Sequence, residues 1–226
     1  MKFKIDLKIF LLIILFLCTN QIKIYGMMML FAIIHELGHL IAGIILKMKP
    51  NQLKINPLGI SIEFDIKNRD YNIKIQKANL LEIKKIIVAL AGPLTNFIII
   101  LILRYINIFS EYDKLIMTYS NALLIVFNIL PIYPLDGGRV LKSLIYIYKG
   151  KHLAEEYTYN TSYIILILLT AISSVTVLWL KNISVFFIII FLWGLQIKES
   201  IKYKNRKKLY ELIKYETESY NSQLIK

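Results

Sequence analysis

The chain has 226 residues, of which 57% are hydrophobic, and a mean hydropathy of +0.57. A soluble domain carries fewer apolar residues than this, and the excess falls in blocks of bilayer-spanning length. The net charge of +13 does not call for nucleic acid, because the basic residues collect in the loops between those blocks, as the positive-inside rule requires.

Six blocks read as transmembrane helices: Ile9–Ile24, Met27–Leu46, Ile86–Ile106, Leu115–Ile132, Tyr159–Leu180 and Ile183–Ile197. The last is short and suits a tilted or partly interfacial segment. With the N-terminus in the cytoplasm, only Lys23, Arg104, Lys114 and Lys181 of the 28 basic residues face outward. That asymmetry predicts a multi-pass cell-membrane protein with both termini cytoplasmic. The first block follows a basic start, but no small-residue cleavage site comes after it, so the expectation is an uncleaved span. Cys18 is the only cysteine, which excludes an intrachain disulfide.

The second block contains "HELGH". His35 and His39 are four apart and share one helical face, one turn from each other. Ionisable groups in a span are costly and mark a function. Two imidazoles at this spacing suit one zinc ion, and Glu36 beside them suits a general base for water that the metal makes acidic, with a pKa of about 7. Two of the three histidines in the chain are used here. Packing alone would not justify two histidines and a glutamate in a span. A metal-binding membrane protein without proteolysis, such as a transporter, is the competing class, and Glu36 argues against it.

After this block "GISIEFDIK" alternates, with Ile60, Ile62, Phe64 and Ile66 on one face. "YNIKIQ" alternates too, and "NRD" between them has turn character. Together they predict a small cytoplasmic-side β-hairpin after the second span. It is either a membrane-surface sheet or an edge to which an extended peptide adds as a strand.

Catalytic zinc takes three protein ligands, so one is still needed. His152 lies in a basic loop and is a poor choice. Asp136, in "NILPIYPLDGGRV", is the only acidic residue between Asp113 and Glu155. Pro131 and Pro134 interrupt helix there and Gly137–Gly138 loosen the backbone, a pattern tolerated at membrane depth where it lines a cavity. Such a segment is able to return an aspartate to the histidines. The remaining residues, 198–226, form a basic, Tyr-rich tail suited to a surface helix at the lipid headgroups.

"HELGH", "ALAGPLTN" at 89–96 and "NILPIYPLDGG", in that order, resemble the site-2 protease family of intramembrane zinc metalloproteases over roughly residues 27–142. "NPLGISIEFD" and "FNILPIYPLDGGRVL" are most similar to its sporulation branch. The resemblance implies a mostly α, six-span protease domain over residues 1–197, with one zinc per chain on His35, His39 and Asp136. It also implies Glu36 as base and Asn128 as a substrate-positioning residue. The implied substrate is a membrane-associated protein, in the sporulation branch the precursor of sporulation sigma factor K. The implied place is then the mother-cell membrane around the forespore, with inhibitory membrane partners. An anti-sigma factor or a signal-peptide remnant is the alternative substrate. The 29 residues after the last span are too few for the nucleotide-binding CBS module of some relatives, and no PDZ domain is expected.

Overall fold

The structure is a computed structural model that describes residues 2–5, 22–56, 59–65, 75–106, 108–180 and 184–224. Among the described residues, three strands, β1 (Lys2–Ile5), β2 (Lys49–Asn56) and β3 (Gly59–Asp65), accompany six helices. The helices are α1 (Ile22–Ile45), α2 (Ile75–Tyr105), α3 (Glu111–Ile129), α4 (Asp136–Lys149), α5 (Lys151–Leu180) and α6 (Ser184–Leu224).

Within the described residues, three helical segments are long and apolar enough to cross a membrane: Lys23–Ile45, Ala78–Tyr105 and Lys151–Val175. They match the predicted second, third and fifth spans. Helices α3 and α6 overlap the predicted fourth and sixth. Most of the predicted first span and Cys18 lie outside the described residues. The break between the first two predicted spans moves, because α1 is already helical at Ile22.

Large apolar side chains line the outside of these helices. Leu30, Ile33, Leu37, Ile41 and Ile44 of α1 are exposed at spacings of three and four, and Leu80, Ile83, Ile87, Leu90 and Leu94 do the same on α2. The inner faces carry the polar residues instead: His35, His39, Asn96 and Asn121 are buried. Apolar stripes turned outward around a polar interior suit lipid as the solvent.

Antiparallel pairing of β2 with β3 gives a hairpin after α1, and β1 joins β2 in parallel to complete a three-stranded sheet in the order β1-β2-β3. The partner of β3 differs from the one its sequence suggests. Ile75 and Gln76 open α2, residues 66–74 lie outside the described residues, and the paired strand is Lys49–Asn56. Pro50 hides that strand from a sequence reading, since proline cannot donate to a ladder. A register shift between Pro50 and Gln52 absorbs it. The sheet packs against the end of α1, where the Phe64 ring lies against Gly43, one turn beyond His39.

Contacts at the two ends fix how α1, α2 and α3 run. Lys23 Nζ meets Asp113 Oδ1 at 2.7 Å at one end, and Lys84 Nζ donates to the Leu46 carbonyl at 3.0 Å at the other. The second contact satisfies one of the free carbonyls beyond the C-terminus of α1 with a cation, the favourable sign there. A second packing centre joins α5 and α6 around Ile132, Leu166, Ile189 and Leu192. Ile132 comes from the α3–α4 connection and is 1% exposed, so this core pins the segment that leads into Asp136. Helix α6 continues unbroken past residue 198 to Leu224, and the basic tail is therefore an extension of the last helix.

Candidate metal centre

HELGH lies on α1 as expected, with His35 and His39 facing inward at 3% and 2% exposure. Their rings meet edge to face with centroids 4.8 Å apart. Glu36, between them in sequence, is half-buried.

The third member arrives from the α3–α4 connection. Helix α3 stops at Ile129, and the chain turns through Leu130–Leu135, with Ile132 N bonded to Leu130 O and Leu135 N to Ile132 O. Tyr133 N–H donates to Ser162 Oγ of α5 at 2.9 Å. Asp136 then opens α4, where a carboxylate has the favourable sign for a helix N-terminus. Gly137 and Gly138 allow this fold-back. A side chain on Gly137 would run into the carbonyl oxygen of Ile129, and one on Gly138 into the backbone of Ile132 and Tyr133.

The result brings together residues 97 and 101 positions apart. Asp136 Oδ2 stands 3.0 Å from His35 Nε2 and 3.1 Å from His39 Nε2. The aspartate is 5% exposed, and Arg139 Nη1 lies 3.6 Å from its other oxygen. Ligand atoms of His35, His39 and Asp136 all fall within 4.8 Å of one another, so the three could hold a metal ion.

Two observations fit zinc. Two nitrogens and one carboxylate oxygen are a donor set of catalytic zinc sites, which leave a fourth position open. The space beside them is also kept clear by Gly92 of α2, where a Cβ would sit 2.5 Å from both Nε2 atoms. His39 is oriented as a ligand should be, with Nδ1 2.7 Å from the Val88 carbonyl. A proton on Nδ1 leaves the Nε2 lone pair for a cation.

The other predicted residues stand apart. Asn128 donates from Nδ2 to Leu124 O within its own helix at 3.0 Å. His152 is exposed at the start of α5, 5.7 Å from the Tyr210 ring, and is not in the ligand cluster. Gly92, Val88, Arg139 and Ser162 were not singled out by sequence reasoning. "ALAGPLTN" carried a signal for Gly92, but a backbone acceptor such as Val88 O leaves none.

Known proteins resemble this chain in sequence and in fold. The family model for peptidase family M50 matches residues 111–172, the segment that holds Asp136. A zinc metalloprotease of Methanocaldococcus jannaschii is 31% identical over 119 residues, covering 50% of this chain and 31% of that protein. Stage IV sporulation protein FB of Bacillus subtilis is 25% identical over 128 residues, covering 55% of this chain and 41% of that protein. The chain thus spans less than half the length of these curated relatives. A solved site-2 protease from Methanocaldococcus jannaschii shares the fold with a TM-score of 0.62, at 18% identity, over 88% of this chain and 90% of that one.

Proposed function

We propose that the chain belongs to the site-2 protease family of peptidase family M50 and is an intramembrane zinc metalloprotease that hydrolyses a peptide bond of a membrane-associated protein. The observation that carries this reading is the convergence of His35, His39 and Asp136, from two distant segments, beside the half-buried Glu36. In this reading the three side chains hold one zinc ion. Bound zinc supplies Lewis acidity that makes water a nucleophile near neutral pH.

Glu36 takes the proton of the attacking water and passes it to the leaving amine nitrogen. Arg139 holds the free oxygen of Asp136 and keeps Oδ2 turned toward the histidines. Gly92 leaves the ligand atoms uncovered. The apolar outer stripes of α1 and α2 keep this chemistry within the bilayer, and both termini and the basic tail face the cytoplasm.

For the substrate, similarity to stage IV sporulation protein FB supports the precursor of sporulation sigma factor K, with the enzyme in the mother-cell membrane under inhibitory membrane partners. The alternative substrate class is an anti-sigma factor or a signal-peptide remnant, and the Methanocaldococcus jannaschii relative is named only as a zinc metalloprotease.

The experiment uses the purified chain in lipid with each candidate substrate. Cleavage should vanish on chelation and return with one equivalent of zinc. Undiminished cleavage after complete metal removal would refute the proposal. Release of the sigma factor from its precursor, with the anti-sigma factor left intact, would decide for the first substrate class.

A further inference from the structure

His39 has a partner for each ring nitrogen, whereas His35 does not. The Nδ1 of His35 is buried and has no hydrogen-bond partner among the described residues. On α2, Asn96 is 0% exposed, and neither its Nδ2 nor its Oδ1 has a partner among those residues. An unpaired buried polar group is destabilising, and no lipid chain can relieve it.

The two sites belong to one helix crossing. His39 bonds to Val88, Gly92 comes against both His39 and His35, and Lys84 of α2 reaches Leu46 beyond the end of α1, so the two helices run antiparallel. One turn back along α1 therefore matches one turn forward along α2. Asn96 is one turn beyond Gly92 on the same buried face. Cβ positions four apart on a helix are separated by about 5–6 Å, and each Cβ leans toward the helix N-terminus. The Asn96 side chain thus leans back over Gly92, whose Cβ position is 2.5 Å from His35 Nε2.

We propose that Asn96 is the positioning residue for His35, accepting through one water the proton on Nδ1. It does for His35 what the Val88 carbonyl does directly for His39. Both rings then carry the proton on Nδ1 and present Nε2 to the same point. The assignment rests on the metal reading above and adds to it a residue that touches neither metal nor substrate.

The test measures zinc affinity by chelator competition for the parent, Asn96→Leu and Asn96→Asp, together with nitrogen NMR of labelled histidine rings. Asn96→Leu should weaken zinc binding about 10–100-fold and disturb the His35 Nδ1 signal alone. Asn96→Asp keeps an acceptor and should stay close to the parent. Equal affinity and unchanged ring signals in Asn96→Leu would overturn the proposal. Should that variant not fold, an experimental structure of the zinc-loaded parent decides. A water within about 3 Å of both His35 Nδ1 and Asn96 Oδ1 supports it, and a different acceptor on Nδ1 overturns it. A parent that binds no zinc would instead remove the metal reading, and this assignment with it.

Discussion

Gly92 and His39 approach so closely that a methyl group on the glycine would stand 2.5 Å from the Nε2 of the histidine. Gly92 is in the interior of α2, where alanine is the better helix former by about 0.8–1.0 kcal/mol. The helix gains from Gly92→Ala while the metal space is filled. A Cβ this close to two buried, hydrogen-bonded rings forces them to shift, so the metal-free protein should unfold at a lower temperature despite the better helix former, and zinc binding should fall by about 100-fold or more, a loss of roughly 2.7 kcal/mol. Full zinc affinity in Gly92→Ala, read by chelator competition, would show that the ion does not occupy this cradle.

Asp136→Asn removes the proposed anionic ligand and keeps its shape. Carboxylate oxygens suit zinc better than a neutral amide. One zinc per chain in the parent should fall to substoichiometric occupancy, and cleavage should be lost without change in the helical content. A variant with full zinc and full activity would place the third ligand elsewhere, and His152→Ala would then be the next measurement.

How the chain shows its site depends on the distance over which each signal acts. His35, Glu36 and His39 are legible because helical spacing alone puts two imidazoles on one face. Asp136 is legible because no other carboxylate lies between Asp113 and Glu155, and Pro131 and Gly137 announce a break. Gly92 acts across a helix pair, and no local pattern encodes what a glycine leaves empty. The pairing of β3 is hidden because Pro50 disguises its partner, whereas "YNIKIQ" alternates yet its Ile75 and Gln76 enter α2, whose next residues are good helix formers. The tail of α6 follows the same logic, since its Lys, Leu and Glu residues favour helix and extend the span.

Ser162 ties the ligand loop to α5. It is 1% exposed, accepts from Tyr133 N–H and donates to Thr158 O at 2.7 Å. Ser162→Ala leaves the Tyr133 N–H unpaired, at a cost of about 1–3 kcal/mol. Thermal unfolding should fall accordingly, and zinc affinity should drop as Asp136, three residues on, loses its support. Ser174, whose hydroxyl bonds only within an exposed turn of α5, is the control, and Ser174→Ala should stay within about 0.5 kcal/mol. Equal effects from the two variants would remove Ser162 from the positioning of the loop.

The end contacts make the proposed membrane sidedness testable. Lys23 and Asp113 meet at one end of the helices, and Lys84 meets Leu46 at the other. The Lys23 hydrogen bond holds the Asp113 carboxyl below its ordinary range. Its contribution is therefore present above the unfolded value and lost as pH falls through the folded one. With Cys18→Ser as background, a cysteine at Tyr112 should label only from outside, and cysteines at Lys47 and His152 only from the cytoplasm. Labelling of Tyr112 and Lys47 positions from one side would overturn the proposed arrangement.

Glu36 separates a protease from a membrane protein that merely holds metal. Its neighbours His35 and His39 are buried ligand candidates, while Glu36 is half-buried and outside the ligand cluster. Proteolysis requires a base beside the attacking water, whereas metal storage or passage does not. Glu36→Gln keeps the length and shape of the side chain, but an amide has no useful basicity. Removal of a general base costs about 10²–10⁴-fold in rate. The variant should keep one zinc per chain, bind substrate and cleave only at trace rates, so that it traps the natural substrate in the membrane. His35→Ala and His39→Ala should behave differently and lose the metal. Zinc content and cleavage measured on all three variants in one lipid preparation separate these roles. If Glu36→Gln cleaves at nearly the parent rate, the base is another group and the proteolytic mechanism drawn from this site is wrong.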